Sequence, residues 1–210
     1  MLNKYSIGML ILAASTGNAL ASISTYTNNT SLIGGLTNFA DFNNLNNFQS
    51  LLNYQEDGLQ VSAHRDYFSW NAPGLDGSEM FYAGTGALEL IDISLVNGDN
   101  FGDIDMQISS GWSPVVVGTM YLWVQLYDDG GLVSEFDINA QSGDYVGFAG
   151  GGYDQILIGS YASAEVRDSH DASARNAIAL DNISAGTVVP APATLLVPAM
   201  AMIGMRRRRF

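Results

Sequence analysis

Tyr121, Trp123 and Tyr127 lie on one side of an alternating run, with Met120, Leu122, Val124 and Leu126 on the other. Aromatic rings presented with a few polar groups suit carbohydrate binding, because a ring face stacks on a sugar. Two apolar faces equally describe a central strand with Trp123 in the core, and the residues alone leave both open. Trp70 and Trp112 are expected in loops. A second chemistry is oxygen ligation. Asp99-Asn100-Phe101-Gly102-Asp103-Ile104-Asp105 groups the ligand types calcium prefers, though not at EF-hand spacing. Asp103 and Asp105 also fit as outward residues of a strand. Nucleophilic catalysis needs a nucleophile, a base and an orienting group. The histidines are His64 and His170, neither in a recognisable motif, and both are read as solvated surface residues. Gly150-Gly151-Gly152 has no Lys-Ser/Thr after it and reads as a flexible hairpin tip rather than a phosphate loop. With 21 acidic residues, some carboxylate pair always falls close, so a glycosidase pair is a weak signal.

The elements that must position these residues are strands. Leu59, Val61 and Ala63 alternate with Gln60, Ser62 and His64; Ile104, Met106 and Ile108 alternate with Asp103, Asp105 and Gln107. Such period-2 runs are half-buried strands. Further strands are expected near 37–42, 145–148, 155–160 and 177–183, with one helical turn over 48–54. From 87 to 95 the apolar phase switches, and a bulge near Leu90-Ile91 would bring both sets inward. Asp128-Asp129-Gly130-Gly131 predicts a hairpin loop. In the return strand, Leu132, Ser134, Phe136 and Ile138 share one face, and Val133, Glu135 and Asp137 the other. Short strands with turn signals between them indicate an antiparallel β-sandwich, with a jelly roll as the preferred arrangement.

The two ends have a different character. Lys4, the apolar run 7–14 and Ala19-Leu20-Ala21 form the n-region, h-region and A-x-A site of a secretory signal peptide, residues 1–21. The body is then 22–187, about 165 residues, enough for one domain with a sizeable core. The whole chain carries 8 basic and 21 acidic residues, a net charge of -13. Five of the basic residues are Lys4 and Arg206 to Arg209, so the body keeps three against 21 acids, a net −18. That balance repels nucleic acid and anionic lipid. Cysteine is absent, which excludes thiolate zinc sites and disulfides.

Residues 188–210 hold Val189-Pro190-Ala191-Pro192-Ala193-Thr194, an apolar run and Arg206-Arg207-Arg208-Arg209. This tail resembles the PEP-CTERM sorting signal of Gram-negative bacteria, with Ala191 where the family usually has Glu. The resemblance implies recognition and cleavage by an exosortase, after transient anchoring in the inner membrane. The arginines would stay cytoplasmic, since Lys and Arg resist translocation. The apolar run is short against the roughly 20 residues of a full span, which favours a processed signal. The order of segments from Val124 to Gly131, then Tyr145 to Phe148, Ile156 to Ile158 and Ala179-Leu180-Asp181-Asn182-Ile183 is similar to a common body of PEP-CTERM proteins. Those bodies look like galactose-binding or carbohydrate-module jelly rolls. By that likeness Asp181 resembles a calcium ligand near the end of the last strand, with Asp41 facing it from the first. If the Asp181 face is inward, the carboxylate needs a cation; if Ile178 and Leu180 point inward instead, Asp181 is exposed.

These readings converge on an all-β, jelly-roll-like sandwich between an N-terminal signal helix and a C-terminal hydrophobic helix. The expected protein is secreted, processed by signal peptidase and exosortase, non-catalytic, and placed at the cell surface or in an extracellular matrix. An exopolysaccharide-binding module is the first alternative and a glycan-active hydrolase or lyase the second.

Overall fold

The computed structural model describes residues 23–33, 38–45, 50–51, 53–63, 69–73, 79–83, 90–110 and 118–187. In chain order the strands are β1 (Ser24–Asn28), β2 (Asn38–Ala40), β3 (Ser50–Leu51), β4 (Asn53–Glu56), β5 (Leu59–Ala63), β6 (Ser69–Pro73), β7 (Glu79–Ala83), β8 (Ile91–Leu95), β9 (Phe101–Ser109), β10 (Thr119–Asp128), β11 (Gly131–Gln141), β12 (Tyr145–Tyr153) and β13 (Gln155–Tyr161). A short helix α1 (Ala164–Asp168) and a 3-10 turn (Ala172–Ala174) follow, then β14 (Arg175–Asn176) and β15 (Ala179–Thr187). The first sheet has the order β1-β12-β9-β15-β7-β6-β3, with β2 also on β15. The second has the order β11-β10-β13-β8-β5-β4, with β14 on β13. All pairings are antiparallel. From β7 to β10 each successive strand changes sheet, as do β12, β13 and β15.

The core lies between the sheets because each alternating run turns its apolar set there. Leu122, Val124 and Leu126 of β10 and Ile156 and Ile158 of β13 join Ile104, Met106 and Ile108 of β9 and Phe148 of β12 in one buried cluster. Burying each such side chain stabilises by about 1.5–3 kcal/mol.

Several local expectations change. The helical turn over 48–54 is absent from its described part: Ser50–Leu51 and Asn53–Glu56 are strands. Tyr54 faces inward beside Val61, and Asp57 and Gly58 (φ 40° and 82°) make the tight turn of a β4–β5 hairpin. An Asp-Gly pair supplies both positive φ values that such a turn requires. Leu90 is not brought inward with Ile91. It lies just before β8 and packs over Gly159, on the outer side of the second sheet. Asp129 and Gly130 form the expected hairpin turn, but the register shifts between Leu126 and Tyr127. That shift leaves Leu132 opposite Tyr127 and 53% exposed, off the Phe136 and Ile138 face. Trp70 belongs to strand β6 rather than a loop; Trp112 and His64 lie outside the described residues. So do the segments expected to form the flanking helices, and among the described residues no helix is long and apolar enough to cross a membrane.

Candidate functional site

The outward positions of the second sheet form two unbroken rows. Strand pairing aligns Glu135, Gln125, Leu157, Asp92, Ser62 and Asn53 in one row across β11, β10, β13, β8, β5 and β4. The adjacent row is Leu132, Tyr127, Gln155, Ser94, Gln60 and Gln55. At about 4.8 Å per strand step, six strands span roughly 24 Å. Amides and carboxylates along the rows are tied together. Tyr127 donates from its hydroxyl to Gln125 Oε1 at 3.1 Å, and Gln125 Nε2 donates to Glu135 Oε2 at 3.0 Å. Gln155 Nε2 donates to Asp92 Oδ2 at 2.7 Å, and Gln55 Nε2 to Gln60 Oε1 at 2.8 Å. These bonds fix side-chain directions while each amide keeps further donor and acceptor capacity.

The other end of this face is covered. Trp123 pairs with Asp137 and Gly159, and Tyr121 with Asn139 and Tyr161. Tyr121, Trp123 and Tyr127 are all half-buried on the outward side, while Met120, Leu122, Val124 and Leu126 fill the core, which decides against an inward Trp123. The three rings nevertheless do not form one open platform. His170 stacks on Trp123 with ring centroids 4.4 Å apart and 21° between planes. The expectation of a solvated His170 is therefore corrected. Its residue is half-buried because α1 is docked over this end. Ser163 caps α1, its hydroxyl accepting from Val166 N at 3.3 Å. Buried Arg167 donates to Asn139 Oδ1 at 2.6 Å and pairs with Asp137 at 3.4 Å. His170 then closes the helix end with φ 51°, its N–H donating to Arg167 O at 2.7 Å.

The first sheet has a covered outer face. Asp105 alternates outward as expected yet is fully buried. It accepts from the Tyr26 hydroxyl (2.9 Å), the Ser31 hydroxyl (3.0 and 2.9 Å to its two oxygens) and Leu32 N (2.9 Å), pinning residues 26–32 across β9. A pocket of about 390 Å³ beside this pin is lined by Tyr26, Leu32, Ile33, Asp103 and Ala149. Asp99 is exposed, and Asp103 accepts from Gly150 N at 3.2 Å. Burial pushes the Tyr26 hydroxyl well above the usual phenol range, with the charge of Asp105 adding to it.

Of the expected calcium pair, Asp181 lies in β15 and Asp41 just beyond β2. β2 pairs with β15 through Ala40 and Ile183, so Asp41 follows β2 close to where Asp181 leaves the β9 register. Asp181 is buried even though Ile178 and Leu180 point into the core, and a bulge at Asn182 (φ 46°) brings Ile183 into the core as well. Neither sequence alternative anticipated burial on both sides. Asp181 accepts from Asn182 N at 2.8 Å, and Asp41 from Asn43 N at 3.0 Å. Among the described residues no three of His, Cys, Asp and Glu gather as a metal group. Glu56, unremarked in the sequence, holds this corner. It accepts from Asp41 N, Phe42 N, Asn44 Nδ2 and the Tyr54 hydroxyl at 2.7–3.2 Å. The sorting residues Val189 to Thr194 and Arg206 to Arg209 lie outside the described residues.

No family model matches the chain, and no curated protein does. Among solved structures it is similar to a family 29 carbohydrate-binding module from Piromyces equi, at 13% identity and a TM-score of 0.36, covering 70% of this chain and 89% of that one. It is also similar to the CBM22-1 xylan-binding domain of Xyn10C from Paenibacillus barcinonensis, at 13% identity and a TM-score of 0.35, covering 76% of this chain and 99% of that one. Likeness at this level carries no weight for the ligand.

Proposed function

We propose that the chain is an exported, non-catalytic, jelly-roll-like module that binds a polysaccharide along the two outward rows of the second sheet. The observation that carries this is the rows themselves: Gln125, Gln155, Gln60, Gln55, Asn53, Asp92 and Glu135 on six consecutive strands, with Tyr127 among them. A stripe of oriented amides and carboxylates, interrupted by buried Leu157, suits vicinal hydroxyls repeated along a polymer. The strongly acidic body disfavours anionic polymers. Export by the signal peptide and processing of the PEP-CTERM-like tail would deliver the module to the cell surface or matrix, where such polymers lie. The test is calorimetric titration of the full chain with neutral hexasaccharides, beside Gln125→Ala/Gln155→Ala. The double variant should bind about tenfold more weakly with an unchanged melting midpoint, as expected for losing a few hydrogen bonds. Absence of binding to the whole panel overturns the proposal, and release of reducing sugar would point to the hydrolase alternative.

A further inference from the structure

We propose that His170 is a built-in competitor for a sugar ring. Its imidazole occupies the stacking position over Trp123 in the free protein, and a pyranose displaces it when a glycan lies along the rows. The inference rests on the polysaccharide reading above. Trp123 stands two residues from Gln125 on the same face of β10, a step of roughly 7 Å along the strand. The indole therefore stands in the next row, at the flank of a glycan seated on the Gln125 row.

The closed arrangement is poorly satisfied. Among the described residues, Trp123 Nε1 and His170 Nε2 are both buried without a hydrogen-bond partner. The nearest acid, Asp137, has its Oδ1 3.9 Å from His170 Nε2, too long for a hydrogen bond. A buried donor without an acceptor is costly, so the stack holds itself together only through ring contact. A pyranose in the same place offers the indole the same parallel contact and lets the displaced His170 Nε2 hydrate. Its own hydroxyls can donate to Asp137, whose side chain is 44% exposed and whose Oδ1 also lies 3.4 Å from Arg167 Nε. His170 can leave without disturbing a strand, because it is the single left-handed residue between α1 and the 3-10 turn. The open fraction then scales the apparent affinity.

The test uses the full chain, His170→Asn and Trp123→Ala, titrated with cellohexaose, xylohexaose and chitohexaose, with acrylamide quenching of tryptophan fluorescence alongside. Asn tolerates positive φ and is too short to stack; His170→Gly serves the same purpose if the Asn variant does not fold. Quenching should rise in His170→Asn, and the bound hexasaccharide should bind it roughly three- to tenfold more tightly than wild type. Trp123→Ala should weaken binding. Wild-type binding that is equalled or weakened in His170→Asn overturns the competitor role and leaves the polysaccharide reading standing. Unchanged quenching overturns it as well. Binding by none of the proteins overturns both readings.

Discussion

Asp105 and Tyr26 show what a single buried contact does to titration. The Tyr26 hydroxyl donates to Asp105, and burial first, then the Asp105 charge, raise its ionisation above the ordinary phenol range. Tyr54 is raised by burial and its hydrogen bond to Glu56, and Tyr153 by burial and the charge of Asp103. In the unfolded chain these phenols ionise near pH 10. The folded state therefore holds their protons more tightly than the unfolded state. The stability they contribute is complete below about pH 10 and declines as pH rises beyond it. In an alkaline titration, absorbance at 295 nm should show a late cooperative step that coincides with loss of the β-sheet circular dichroism signal. Smooth ionisation of all ten tyrosines with the fold intact would contradict this.

At the scale of elements, two strand contacts carry consequences. β1 lies against β12 with the Tyr26 ring directly over Gly147, and a Cβ at Gly147 would overlap that ring. Gly147→Ala should lift β1 and break the Asp105 pin, lowering stability by about 2–3 kcal/mol, in the range for losing hydrogen bonds to a buried charge. Chemical denaturation measures it, and in a Tyr26→Ala background Gly147→Ala should add little further loss. The second contact joins β2 to β15. We propose that calcium, if it binds this body, binds where Asp41 and Asp181 approach. A site filled at about 100 times its dissociation constant adds roughly 2.7 kcal/mol. Melting should then occur at higher temperature in calcium than in chelator, and Asp181→Asn should abolish the difference. Identical midpoints for wild type would rule out a stabilising ion.

The whole molecule joins an acidic sandwich to two ends of a different kind. The body holds all 21 acidic residues, while Arg206 to Arg209 place four of the eight basic ones in the last five residues. In a host with an exosortase, the tail should be cut near Pro190 to Thr194, and Ala191→Glu should increase processing. Intact mass of the surface-recovered protein reads both ends at once. A mass that still includes Phe210 would overturn processing.

Period and turn chemistry are local, so much of the fold was legible in the residues. The alternation of β5, β9 and β10 and the Asp129-Gly130 turn needed only near neighbours. The β4–β5 hairpin was missed: Asp57-Gly58 carries its turn signal, but the helical turn expected over 48–54 left no room for β4. Which outward residues meet solvent was not legible. Asp92 and Asp105 occupy the same kind of alternating position, yet one joins the half-exposed rows and the other is buried beneath Tyr26, Ser31 and Leu32. Trp123 reads as a platform until α1 and His170, far along the chain, fold back over it. The rows themselves draw on strands from β4 to β13. Alternation determines which side of its own strand a residue takes. What covers that side, and which residues stand beside it, depends on register and on segments distant in sequence, so only the tertiary structure decides it.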